Sequence, residues 1–158
     1  MSPRAIGDVV QQSPDPIKVT DSVEAAVRRL LDSKIPALPA IDEQGRYRGI
    51  FGEREFMAAL FPGYLDQLQG AAFLSRSIDD ALEKRDSCRE DPVERYLNTE
   101  HVDVGPGYSD TQVAEVFLHH RVLIVPVVDK GRVLGVITRA DFFRAVARRF
   151  LRGQAGTS

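Results

Sequence analysis

The feature that most restricts this chain is an internal repeat. Residues 35–56 and 123–143 set out the same residue types in the same order. Pro39 and Asp42 return 87 positions later as Pro126 and Asp129, and Gly49 and Glu55 return 86 positions later as Gly135 and Asp141. The offset changes by one between Asp42 and Gly49, which the pattern places in a hairpin turn, where a sheet accommodates an extra residue. A chain of 158 residues has room for two half-size units sharing one core.

Each unit reads as strand, helix, strand, strand, helix. In the later copy an apolar run ends at Val128, a turn follows at Asp129, Lys130 and Gly131, a second run covers Val133 to Ile137, and a helix starts near Thr138. Upstream, residues 17–19 and 102–104 are extended pieces, each leading into an amphipathic helix. Asp21 with Glu24 signals the first of these helices, and Val23, Ala26, Val27, Leu30 and Leu31 fall on its inner face. Ser109 and Gln112 spell a capping box for its counterpart, which Val113, Val116 and Phe117 continue as a buried face. The closing helices direct Phe56, Ala59 and Leu60, and in the second copy Phe142, Ala145, Val146 and Phe150, inward. Arg144, Arg148, Arg149 and Arg152 are left to solvent. Residues 64–91 have no counterpart in the second copy, and helical patterns at 64–68 and 77–85 make 62–91 a helical connector. Near the start, Ile6, Val9 and Val10 suffice for a short helix or strand packed on the repeat.

At the second strand-to-helix corner, Thr138 and Asp141 stand beside the free N–H groups of a helix start. Two readings stand side by side. In one, Thr138 is an N-cap with an acidic third residue, stabilising the helix by about 1 kcal/mol. In the other, hydroxyl, carboxylate and N–H donors together hold a polar ligand. The first copy carries Gly52 and Glu55 at the corresponding positions.

The combination of Pro126, Val127, Val128 and Asp129, then Gly131 and Arg132, then residues 135–141 resembles the signature of the paired cystathionine-β-synthase (CBS) domains, or Bateman module. That resemblance implies an α+β fold of two β-α-β-β-α repeats packed about a pseudo-twofold axis with a helical insertion. Repeat 1 then covers residues 1–61, the connector 62–91, repeat 2 92–152, and a flexible tail 153–158. It implies clefts between the repeats for an adenosine-containing regulatory ligand: AMP, ADP, ATP or S-adenosylmethionine. On the same resemblance, Asp141 accepts hydrogen bonds from ribose hydroxyls, Thr138 reaches the ribose or first phosphate, and Arg139 contacts a phosphate, with Arg121 and Lys34 as weaker candidates. Ile17, Ile35 and Ala37 would form the wall opposite. The mirror-image cleft would use Gly52 and Glu55 with Val104, Val122 and Ile124 as walls. Gly52 offers no hydroxyl and Glu55 is longer by a methylene, so one good site is expected rather than two. The family further implies a homodimer built through Phe56, Leu60, Phe143 and Val146, and a protein effector of unknown identity.

Composition narrows the alternatives. A net charge of −2 gives no global attraction to nucleic acid or anionic lipid. No apolar run reaches the roughly 18–20 residues that span a bilayer, and no hydrophobic signal core follows Arg4, so a cytoplasmic protein with no membrane partner is expected. Cys88 is the sole cysteine, which excludes an internal disulfide and a multi-thiolate zinc site and leaves a bystander thiol as the ordinary reading. His119 and His120 are adjacent and point apart on a helix, so no shared metal is expected. No nucleophile motif or phosphate-cradling loop accompanies the repeats. The expectation is a non-enzymatic sensor with no cofactor beyond its regulatory ligand. A ligand-free dimerisation or protein-interaction module is the competing reading, and nucleic-acid binding by the arginine-rich last helix is opposed by the acidic balance.

Overall fold

The computed structural model describes residues 4, 6, 9–12, 15–61 and 78–153. In chain order these give β1 (Gln11–Gln12), β2 (Ile17–Lys18), α1 (Val23–Ser33), β3 (Ala37–Ile41), β4 (Tyr47–Gly52), α2 (Glu53–Leu60) and α3 (Ile78–Lys84). Two 3-10 turns (Asp86–Glu90 and Val93–Tyr96) follow, then α4 (Asp110–His119), β5 (Ile124–Asp129), β6 (Arg132–Thr138) and α5 (Arg139–Arg152).

The one-residue change of offset lies in the hairpin turns. Between β5 and β6 only Lys130 and Gly131 intervene, both with positive φ (50° and 83°), the turn whose twist matches that of the flanking strands. Between β3 and β4 residues 42–46 intervene, and Asp42 Oδ1 fastens the turn by accepting from the N–H groups of Gln44 and Arg46, each at 2.9 Å. The two turns touch, with Tyr47 N donating to Gly131 O at 2.7 Å.

Two three-stranded sheets result, ordered β2-β3-β4 and β1-β6-β5. The repeats exchange their leading segments. Gln11 and Gln12 pair antiparallel with Val136 and Gly135 of the second hairpin, while Asn98, ahead of the second repeat, bridges Ile50 of the first. Gly49 permits that second crossing, because a Cβ there would stand 2.7 Å from the Asn98 carbonyl oxygen. On the far edges Ile17 pairs in parallel with Ala40, and Val104 repeats this against Val127.

Both faces of each sheet are covered, so the strands read as continuous apolar runs. Leu38, Ala40 and Phe51 join Ile17, Val23 and Ala26 in the first repeat's own core, and Val125, Val127 and Ile137 join Val113 and Tyr108 in the second's. Residues of opposite parity, Ala37, Ile50, Ile124 and Val136, meet between the sheets with Val102 and Val122.

Several local expectations are corrected. Helix α1 is capped by Ser22, whose Oγ accepts from Ala25 N at 3.1 Å. Asp21 instead closes the preceding turn, accepting from Lys18 N at 3.0 Å. Leu31 is 77% exposed, since the buried face of α1 is centred on Val23 and Ala26. In α5, Phe142 packs against Phe117 with ring centroids 5.6 Å apart, but Val146 and Phe150 are exposed and no residue of the helix is fully buried. The capping box of Ser109 and Gln112 forms in both directions. Cys88 is buried, as suits a bystander thiol. The helix expected at 64–68, the cap expected at Ser77 and most of the expected tail lie outside the described residues.

Candidate functional site

Strand β6 stays extended through Thr138 (φ −80°, ψ 148°), and the chain turns into α5 at the next residue. The Thr138 Oγ1 accepts from the Asp141 N–H at 3.1 Å, so the capping reading of this pair is met. Thr138 is 4% exposed, and its hydroxyl keeps a proton to donate. Arg139 N, the first helical amide, donates to Leu123 O at 2.9 Å.

Asp141 is half-buried and stands on the wall of an open cavity of about 590 Å³, lined by Val9, Val10, Asp141, Arg144, Ala145 and Arg148. That size falls within the range of small-molecule sites, roughly 300–1,000 Å³. Four of these residues follow helical spacing from Asp141 and form one face of α5. The other two come from the leading segment, which β1 fastens to β6 and which also packs on the second repeat's core. Arg144 Nη1 lies 3.6 Å from Asp141 Oδ1, with both side chains partly exposed. An ion pair this long and solvated is worth at most about 1 kcal/mol.

Among the residues expected at this site, the structure brings Thr138 and Asp141 together. Arg139 is exposed at the start of α5 and is not among the described lining residues. The residues expected as the site's wall, Ile17, Ile35 and Ala37, are not among the described lining residues of this cavity. Ile17 is fully buried in the first repeat's core, and Ala37 is buried between the sheets with Val122 and Ile124, with Ile35 packed against them. Strand exchange is the reason: it places Val9 and Val10 beside Asp141. Both valines were legible only by carrying the 87-residue offset back to Tyr96 and Leu97, and Arg144 and Arg148 by counting one helical face from Asp141.

The first corner repeats the backbone geometry without the room. Glu53 N donates to Pro36 O at 3.0 Å, matching Arg139 and Leu123, but a Cβ on Gly52 would lie 2.4 Å from the Ala37 Cβ and 2.5 Å from Pro36 O. A threonine does not fit there. Burial raises the Glu55 carboxyl above its ordinary value, opposed by the backbone N–H groups of Glu55 and Gly52 and by Arg54, while Glu100 adds to the rise. Where the second corner has Val9 and Val10, this one has Tyr96 and Leu97, both packed against the first core. Val104 lies in the second repeat's own core. Among the described residues no group of three or more His, Cys, Asp or Glu is placed to hold a metal ion.

The CBS domain profile matches residues 6–62 and 93–148, one match to each repeat. The chain belongs to the CBS domain family. It is a tandem CBS pair of α+β fold. A CBS domain-containing protein of Dictyostelium discoideum is 26% identical over 126 residues, covering 79% of either chain. An A-adding tRNA nucleotidyltransferase of Aquifex aeolicus (strain VF5) is 22% identical over 143 residues, which are 89% of this chain. The match spans only 14% of that relative's length. Among solved structures, a putative acetoin utilization protein (AcuB) from Vibrio cholerae superposes with a TM-score of 0.65 at 21% identity, covering 96% of this chain and 94% of that one. CBSX2 in complex with AMP superposes with a TM-score of 0.64 at 21% identity, covering 92% and 97%. Among the described residues no helix is long and apolar enough to cross a membrane.

Proposed function

We propose that this CBS pair is a non-enzymatic sensor that takes an adenosine-containing ligand, of the AMP, ADP, ATP or S-adenosylmethionine type, at the corner of Thr138 and Asp141. The observation that carries this reading is the carboxylate of Asp141 on the wall of a ligand-sized cavity at a helix start. Asp141 accepts from the two ribose hydroxyls in exchange for Arg144, Thr138 supports it from behind, and Val9 and Val10 offer apolar surface. The AMP complex of CBSX2, a protein of the same fold, supports the choice of ligand class. On this reading one site operates, because Gly52 of the first corner carries no hydroxyl and has no room for a side chain that would.

A thermal-shift panel of AMP, ADP, ATP and S-adenosylmethionine tests this. At 100 times Kd a ligand stabilises the folded chain by about 2.7 kcal/mol, a rise in Tm that Asp141→Ala abolishes. No shift with any member sinks the sensor reading. A second reading, a ligand-free dimerisation module, is favoured by the exposed Phe143 and Phe150 on α5, 68% and 80% accessible. It predicts a dimer by light scattering that Phe143→Glu disrupts and that the ligands leave unchanged.

A further inference from the structure

We infer that the first repeat carries a separate binding site, a groove between α1, α2 and α3 that takes a medium-chain monocarboxylate, its tail on the apolar walls and its carboxylate on Arg85. Val23, Val27 and Leu31 of α1, Phe56 and Leu60 of α2 and Leu82 of α3 line an open space of about 360 Å³, with Cys88 on the same surface. None of these residues lines the cavity at Asp141. Leu31 and Leu82 are 77% and 44% exposed, apolar surface that a bound tail would take out of water.

Three guanidinium groups line the groove, and two of them are already matched. Arg28 Nη2 lies 3.4 Å from Glu24 Oε1, and Arg89 lies 3.1 Å from the same oxygen and 2.6 Å from Asp86 Oδ1. Arg85 differs. It is half-buried, its Nε donates to Ala59 O at 2.9 Å, and among the described residues its guanidinium has no ion-pair partner. The bond to Ala59 ties the end of α3 to α2 and holds the charge at the groove. A half-buried charge against apolar surface is costly until an anion meets it, and a carboxylate accepts from two guanidinium N–H groups at once. One cation in excess calls for one negative charge, and the walls call for a tail behind it. A methylene fills about as much space as a water molecule, roughly 30 Å³, so the groove has room for on the order of ten carbons.

Titration calorimetry of the full chain with decanoate, kept below its micelle concentration, tests this against decanol and decylamine. Decanoate is expected to bind about tenfold tighter than decanol, and decylamine not to bind. From hexanoate to decanoate each methylene should add about two- to fourfold in affinity. Because Cys88 is the only cysteine, its alkylation by N-ethylmaleimide reports on the groove, and decanoate should slow it. Arg85→Gln should lower decanoate affinity about tenfold and leave decanol affinity unchanged, a split that a loss of packing would not produce. Decanol binding as tightly as decanoate in the parent chain, or decanoate neither binding nor protecting Cys88, would overturn the inference. So would light scattering that shows a dimer in which Cys88 is already shielded and decanoate has no effect, since the groove then closes on a second copy.

Discussion

Replacing Gly52 by alanine tests how tightly the first corner is packed. The glycine has φ −156°, extended backbone that alanine adopts freely, so any cost is one of space. The added Cβ would meet the Ala37 Cβ at 2.4 Å, Pro36 O at 2.5 Å and Ala37 Cα at 2.7 Å, mostly backbone that cannot rotate away. Relief requires opening the Ala37 and Gly52 end of the hairpin and stretching the 3.0 Å hydrogen bond from Glu53 N to Pro36 O. Overpacking of this kind costs about 1–3 kcal/mol and the strained hydrogen bond about 1 kcal/mol, while the stiffer unfolded chain returns about 0.4–1 kcal/mol. The net loss is about 2 kcal/mol, or about 4–8 °C in Tm for a chain of this size. Urea unfolding followed by far-ultraviolet circular dichroism measures it, the chain having no tryptophan. Gly52→Thr should be worse still and should create no second ligand site. Were Gly52→Ala as stable as the parent to within about 0.5 kcal/mol, the first corner would have room for a side chain at position 52, and steric closure would no longer support the proposal of one site.

The remaining expectations concern two partly buried acids. The Tyr47 hydroxyl is buried with no hydrogen-bond partner among the described residues, and burial, with Asp103 adding repulsion, pushes its ionisation well above the ordinary value. Tyr47→Phe should therefore be neutral or stabilising by up to about 1 kcal/mol near pH 7. Because the folded state holds this proton more tightly, the associated stability is intact below about pH 10 and is lost as pH rises beyond it, so the variant should resist alkaline unfolding better than the parent. Glu55 is also raised, so its contribution is intact below its ordinary carboxyl range and declines as pH rises through the folded value. Glu55→Gln should then raise Tm at pH 7 and lose that advantage near pH 4, and an equal gain at both values would contradict burial as the cause.

The hairpins, both corners and the one-residue change in the turn were legible because each rests on a side chain with a single structural use: Pro39, Asp42, Gly131, Thr138. The strand exchange was not. Gln11 and Gln12 form a two-residue strand with no periodicity to read, and their partners lie more than a hundred residues away. For the same reason the expected wall, Ile17, Ile35 and Ala37, did not include Val9 and Val10, which line the cavity at Asp141. Arg144 and Arg148 look like the solvated face of any surface helix until Val9 and Val10 are set against them.

Only four residues separate Gln12, anchored in one sheet, from Ile17, anchored in the other. So brief a tether spans at most about 3.5 Å per residue. If an occupant shouldered Val9 and Val10 aside, the main chain itself is the route by which the opposite half of the molecule would be pulled. Cutting the polypeptide midway would leave both halves lacking the piece that the other lends, so neither should hold its shape alone.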